Sequence, residues 1–306
     1  MPRVAAVLLY ALAWSLARLP WRWLARLGDA IADREVRRGS RESRIAARNL
    51  ELAYPDLPPD RREALRHDIL RVTARQMLET LRFWTHPHDR NLGRIVEDHG
   101  AQRLDAAIAA GHGVIVAAPH YGNWELLNQW LASRTPLAIL YAPPESPVGD
   151  AFLNRVRAAH GDAGRVTQIR AEAAGARQLF KWLQGGGVVG ILPDQQPKQG
   201  DGEFAPFFGR PALTMSLLGR LAARTGATVL VAWCERIGED AAGPRFALHV
   251  EPAPAEVASR DVAASVAALN AAFESVARRD PAQYQWTYKR FSLQPDGGNP
   301  YWPDCY

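Results

Sequence analysis

Cysteine and lysine are nearly absent from this chain. Cys234 and Cys305 are the only cysteines in 306 residues, which excludes a disulfide framework and a multi-cysteine metal site and leaves a reducing compartment acceptable. Lysine occurs only at Lys181, Lys198 and Lys289, so 34 of the 37 basic residues are arginine. Arginine grips phosphate and carboxylate through two parallel hydrogen bonds, although a GC-rich genome produces the same bias. No Gly-x-Ser-x-Gly elbow occurs, and no Gly-Lys-Ser/Thr follows the glycines at 185–187. An α/β-hydrolase and a P-loop nucleotide site are thereby set aside. Repeats, low-complexity tracts and an obvious interdomain linker are also missing.

What is present is enough apolar residue, 47% of the chain, to build one large α/β core or two modest ones. The net charge of +5 suits an anionic partner such as a lipid phosphate, an acyl carrier protein or nucleic acid. Val4 to Ala17 carries no charge and is apolar except for Ser15, with Trp14, Trp21 and Trp23 near its polar boundary. Such a run is shorter than the roughly 20 residues a spanning helix needs, so an interfacial or tilted anchor over residues 1–27 is expected. A cleaved signal peptide is the rival reading, with Ala11-Leu-Ala13 as its small-x-small site. Arg18, Arg22, Arg26, Arg34, Arg37, Arg38, Arg41 and Arg44 follow the run, and this crowd of cations predicts a cytoplasmic main domain.

Helical periodicity is expected over 41–53 and 60–84, separated by the turn cluster Tyr54-Pro-Asp-Leu-Pro-Pro59. Strand-like apolar runs then recur at 113–118, 137–141, 188–192, 228–233 and 245–250. They alternate with helix-like stretches at 101–110, 124–132, 149–159, 171–184, 213–225 and 261–279. That alternation predicts an α/β fold over 28–306, a central mostly parallel sheet flanked by helices, preceded by the N-terminal hydrophobic membrane-anchoring helix. In such sheets ligands gather at the carboxyl ends of the strands, where both His120 and Asp194 fall.

The stretch His120-Tyr-Gly-Asn-Trp-Glu125 lies between the apolar run Gly113–Pro119 and a helix-like segment. A histidine on the exit loop and a glutamate in the first helical turn, where the helix dipole favours a carboxylate, form a possible acid-base pair. Such an imidazole, with one nitrogen held by a carboxylate, can take a proton from a hydroxyl. No Ser or Cys lies in the motif, so that hydroxyl belongs to the substrate. A structural His at the junction is the plain alternative. Asn123 reads as a helix cap that also helps to position the pair, Asp194 as a cap, and Arg157 as a solvated helix residue. His86-Pro-His88 lacks a nearby third ligand, so no metal is assigned.

Six blocks in order extend this reading. His-x4-Glu around Gly-Asn-Trp resembles the motif of the bacterial lipid A biosynthesis acyltransferases, within the wider glycerolipid acyltransferase group that uses a His-x4-Asp/Glu dyad. Arg157-Ala-Ala-His-Gly161 resembles that family's Arg-x-x-x-Gly block, and the stretch Leu183–Gln195 its glycine-rich turn, buried strand and Asp-Gln. Phe207–Thr214, Pro281–Phe291 and Arg48–Pro55 are similar to further blocks of the family.

The resemblance implies a membrane-associated O-acyltransferase with His120 and Glu125 as catalytic residues, Glu125 fixing the histidine tautomer. It implies that Asn123, Arg157, Asp194 and Gln195 serve the substrates, with no cofactor. Acyl-acyl carrier protein or acyl-CoA is the implied co-substrate, a lipid A precursor the acceptor, and the cytoplasmic face of the bacterial inner membrane the location. Nucleic acid is not an implied partner. A lysophospholipid, pigment or aminolipid precursor is the alternative acceptor, and a non-catalytic membrane-binding protein the more distant reading.

Overall fold

A computed structural model describes residues 2–144, 146–158 and 165–305; for Pro2, Arg3, Arg157 and Ala158 only the backbone is described. Five helices come first: α1 (Pro2–Ala17), α2 (Trp21–Arg38), α3 (Arg41–Ala53), α4 (Pro59–Thr85) and the short α5 (His88–Leu92). The α/β body follows, as β1 (Ile95–His99), α6 (Ala101–Ala110), β2 (Val114–Ala117), α7 (Trp124–Arg134), β3 (Leu137–Tyr141), α8 (Pro147–Ala158), β4 (Val166–Arg170), α9 (Ala173–Gln184) and β5 (Val188–Ile191). It closes with β6 (Gly202–Phe207), β7 (Arg210–Met215), α10 (Leu217–Thr225), β8 (Thr228–Asp240), β9 (Gly243–Pro252) and α11 (Val262–Ala277).

Seven strands form one sheet in the order β1-β9-β8-β2-β5-β3-β4. Strands β8, β2, β5, β3 and β4 are mutually parallel, and β9 turns back antiparallel to β8 with β1 parallel to it at the edge. The mostly parallel sheet expected from the sequence is therefore present. Its central strands read as continuous apolar runs because both faces are covered. Ile115 and Ala117 of β2 enter the core beneath α9, α10 and α11, whereas Val114 and Val116 enter the opposite core with Leu126, Leu127 and Leu131 of α7. Burying such leucines contributes roughly 1.5–3 kcal/mol each, which fixes α7 against the sheet.

Three local readings change. Residues 213–215 are strand, not helix: β6 and β7 form a separate two-stranded hairpin, and α10 begins only at Leu217. Its loop is Phe208-Gly209, both at positive φ (52° and 71°), the two-residue geometry whose twist matches paired strands. Strands β1 and β4 escape a periodicity search because they are sheet edges; four of the five β1 residues are exposed, so no apolar run marks them. Finally, residue 27 falls inside α2, which continues to Arg38 and packs on α4, with Arg75 of α4 gripping Asp29 at 2.7 and 2.8 Å.

Among the described residues no single helix is long and apolar enough to cross a membrane; α1 and α2 pass together by length and composition but are bent by 112°. Arg18-Leu-Pro20 separates them, and proline cannot continue a helix from the preceding turn. Small residues Ala6, Ala13 and Ala17 of α1 are buried, while Val4, Leu8 and Leu12 are each about 65% exposed (65%, 66% and 66%) on another face.

Candidate active site

β2 and β5 are hydrogen-bonded neighbours with Ala117 opposite Ile191, and the Ala118 amide extends the ladder to the Ile191 carbonyl at 2.9 Å. Both chains then leave the sheet through a proline, Pro119 and Pro193, so the next residues, His120 and Asp194, emerge side by side. Asp194 Oδ1 lies 2.6 Å from His120 Nδ1, and Oδ2 accepts the His120 backbone N–H at 2.8 Å. One carboxylate thus holds both the ring and the backbone of the histidine. An ionised carboxylate only accepts, so the ring proton resides on Nδ1 and Nε2 carries the lone pair.

Asp194 is 2% exposed. Burial works against its charge, but the adjacent His120 outweighs burial through its charge and through the two hydrogen bonds. Arg290 adds to the effect, and the carboxyl titrates below the usual aspartate range. Behind it stands Tyr284, 4% exposed; burial first, and the Asp194 charge next, hold its phenol well above the ordinary value. Arg290, 2% exposed, donates to the Leu213 carbonyl at 2.7 Å and to Thr214 Oγ1. The His120 side chain is 13% exposed, with the Trp124 ring edge-on at 5.0 Å.

The loop after His120 is clamped on both sides. Tyr121 bridges to Tyr284 and Gly122 to Cys234 of β8; the Gln285 amide donates to the His120 carbonyl at 2.9 Å. Gly122 has φ 58°, and a Cβ there would lie 1.9 Å from the Cys234 carbonyl oxygen, so only glycine lets the loop approach β8 this closely. The Tyr121 hydroxyl, in a fully buried side chain, donates to Glu235 at 2.8 Å. Glu235 also meets Arg279 at 2.8 Å and His249 at 3.0 Å.

The residues singled out in the sequence take these places around the loop. The carboxylate that meets His120 Nδ1 is Asp194, 74 positions downstream. Glu125 occupies the first turn of α7 as expected and is 5% exposed. Asn123 is fully buried and its amide is used within the protein: Oδ1 accepts from the Leu126 amide at 3.1 Å, capping α7, and Nδ2 donates to Glu79 at 3.4 Å. Gln195, half-buried, donates to Gln285 Oε1 at 3.1 Å. Arg157 lies in the last turn of α8, but its side chain, with His160 and Gly161 of the same block, is outside the described residues. No group of three metal-ligating side chains is found among the described residues.

Glu79, Glu235, Tyr284 and Arg290 escaped sequence reasoning as site residues. The block Pro281–Phe291 was the available signal for two of them. Glu79 and Glu235 gave none, since each looks like an ordinary charged position until the fold buries it. Two recesses of about 470 and 350 Å³ do not border His120. The larger runs along α10, lined by Arg220, Arg224 and Arg260.

The fold and the pair define an α/β protein that presents a carboxylate-held histidine at the carboxyl ends of two adjacent parallel strands. Comparison with known proteins then places the chain. The family described as "Bacterial lipid A biosynthesis acyltransferase" matches residues 1–292, and this chain belongs to that family. It is similar to the lipid A biosynthesis lauroyltransferase of Escherichia coli K12, 24% identical over 284 residues covering 93% of this chain and 90% of that one. The palmitoleoyltransferase of the same organism is 26% identical over 290 residues, again 93% and 90%. A phosphatidylinositol mannoside acyltransferase of Mycobacterium tuberculosis H37Rv is 29% identical over 199 residues, 64% of this chain and 59% of that one. The protein is an acyltransferase of the class that transfers groups other than aminoacyl, with a lipid acceptor.

Proposed function

We propose that the protein moves a fatty acyl chain from an acyl thioester, carried by acyl carrier protein, to a hydroxyl of a lipid A precursor at the cytoplasmic face of the inner membrane. The observation that carries the reading is the Asp194-bound His120 at the carboxyl ends of two adjacent strands, in a chain aligned almost end to end with acyltransferases named for lipid A. His120 Nε2 takes the proton from the acceptor hydroxyl as its oxygen attacks the thioester carbonyl. Asp194 stabilises the imidazolium that forms. The C–S bond then breaks, the thiol sulfur recovers the proton from Nε2, and an ester results without an acyl-enzyme. Arg157 and backbone amides at the start of α7 stabilise the oxyanion, and Gln195 contacts substrate.

The exposed stripe Val4, Leu8 and Leu12, with Arg18, Arg22 and Arg26 just beyond it, suits an interfacial helix whose apolar side enters the lipid while arginines meet anionic headgroups. Mass spectrometry of lipid A from cells with and without the gene tests the proposal; loss of one acyl chain supports it. The partial match to the phosphatidylinositol mannoside enzyme favours a second acceptor class. An unchanged lipid A beside an altered phospholipid or glycolipid profile would select that reading.

A further inference from the structure

We infer that Glu79, on α4 and outside every motif of the chain, is a positioning residue for acyl transfer that acts through the amide of Asn123. The inference rests on the general-base reading above. Glu79 has a fully buried side chain, and Arg236 of β8 grips it with a two-pronged contact, Nε to Oε1 at 2.9 Å and Nη2 to Oε2 at 2.6 Å. A buried carboxylate held this way is fixed in position and stays an acceptor. The Asn123 Nδ2 group meets the same Oε2 at 3.4 Å.

That contact settles which way the Asn123 amide faces. The Leu126 N–H at the start of α7 is only a donor, and Glu79 is only an acceptor. Oδ1 must therefore point to Leu126 and Nδ2 to Glu79; the reversed amide would set donor against donor and acceptor against acceptor. The cap on α7, and with it the path from His120 through Gly122 to Glu125, is set by a charge on a different helix. Arg236 is tied into the same frame from its backbone: its N–H donates to Gln283 Oε1 at 2.8 Å, and its carbonyl accepts from Gln283 Nε2 at 2.9 Å. The Gln283 carbonyl in turn accepts the Gly122 amide at 3.2 Å. Helix α4, strand β8 and the segment after α11 thus meet at the loop that carries the histidine.

A cycle of variants separates positioning from general stability. Both Glu79 oxygens accept from Arg236, so Glu79→Gln always sets its NH2 against that guanidinium, and at the Oε2 position against Asn123 as well; with the acceptor of the cap no longer held, kcat should fall about tenfold with KM within about twofold, because misplacement of a reacting group costs turnover more than binding. Asn123→Ser keeps an N-cap oxygen but cuts the link to Glu79. In that background Glu79→Gln should cost no further kcat, although its melting temperature drops as before. An equal kcat loss in both backgrounds overturns the inference. Arg236→Lys, which keeps the cation and releases the fork, gives the same comparison if Glu79→Gln does not fold. Hydrogen exchange at the Leu126 amide reads the cap without any assay: it should speed up in Glu79→Gln, and unchanged protection would also overturn the inference. If wild-type protein transferred no acyl group while this exchange effect held, the functional reading alone would fail.

Discussion

Asp194 reaches His120 twice, through Oδ1 to the ring at 2.6 Å and through Oδ2 to the backbone amide at 2.8 Å. The two contacts tie the loop after β2 to the loop after β5, so the histidine is oriented by the sheet itself. The backbone bond adds to the clamps on either side of the loop and fixes the histidine's main chain and ring to the same carboxylate.

Asp194→Asn is expected to lower kcat by about 10²–10⁴, since an amide neither stabilises the imidazolium nor enforces the Nδ1 proton. Its carbonyl still accepts the His120 amide, so thermal stability should stay close to wild type. Steady-state kinetics alongside a melting curve check this, and near-normal turnover in a folded variant would remove Asp194 from the mechanism.

His120→Ala should lose a similar factor, about 10²–10⁴. The double variant His120→Ala/Asp194→Ala should cost far less than the product of the single losses, because the two act as one unit. Multiplying losses would show that they act separately.

Gly122→Ala is expected to be strongly destabilising. The added carbon meets the Cys234 carbonyl oxygen at 1.9 Å at a φ of 58°, a combination of clash and backbone strain of about 1–3 kcal/mol or more. Urea unfolding measures the loss; a midpoint equal to wild type would mean that the loop is not held against β8 as described.

Glu235 makes stability pH-dependent. Burial raises its pKa, but the contacts from His249, Arg279 and Tyr121 outweigh burial and bring it from 4.5 down to about 2. A carboxylate depressed by folding contributes stability that is complete above its unfolded value and is lost as pH falls from about 4.5 toward 2. Wild-type protein should therefore lose stability across that window more steeply than Glu235→Gln, as followed by chemical denaturation at stepped pH. Parallel curves would show that the network around Tyr121 does not depend on this charge.

Leu8→Asp with Leu12→Asp should release the protein from anionic vesicles, since two exposed apolar side chains are replaced by charges repelled by the headgroups. Both positions are 66% exposed, so the fold should survive and detergent-dispersed acceptor should still be turned over. Undiminished vesicle binding in a sedimentation assay would count against α1 as the lipid-facing element.

The sequence by itself determined the central strands, because a strand covered on both faces must be apolar throughout, as 113–118 and 188–192 are. It also determined the helices with clear stop signals: 41–53 and 101–110 coincide with α3 and α6, the latter ended by Gly111 in the left-handed conformation. The position of His120 at a strand exit was legible for the same local reason, a β-branched run ended by a proline. Tertiary structure alone brought a distant carboxylate to the ring: strand order places β5 beside β2, with β3 on its far side, and so Asp194 meets His120 Nδ1. Asn49 makes the same point across a longer span, donating to the carbonyls of Trp286 and Tyr288 at 2.6 and 2.8 Å and joining the first resembling block to the last. The Glu79–Arg236 pair and the Tyr121–Glu235 bond were invisible for one physical reason. Periodicity records how each residue meets the core, whereas a polar contact between distant segments leaves no period and exists only once the chain has folded.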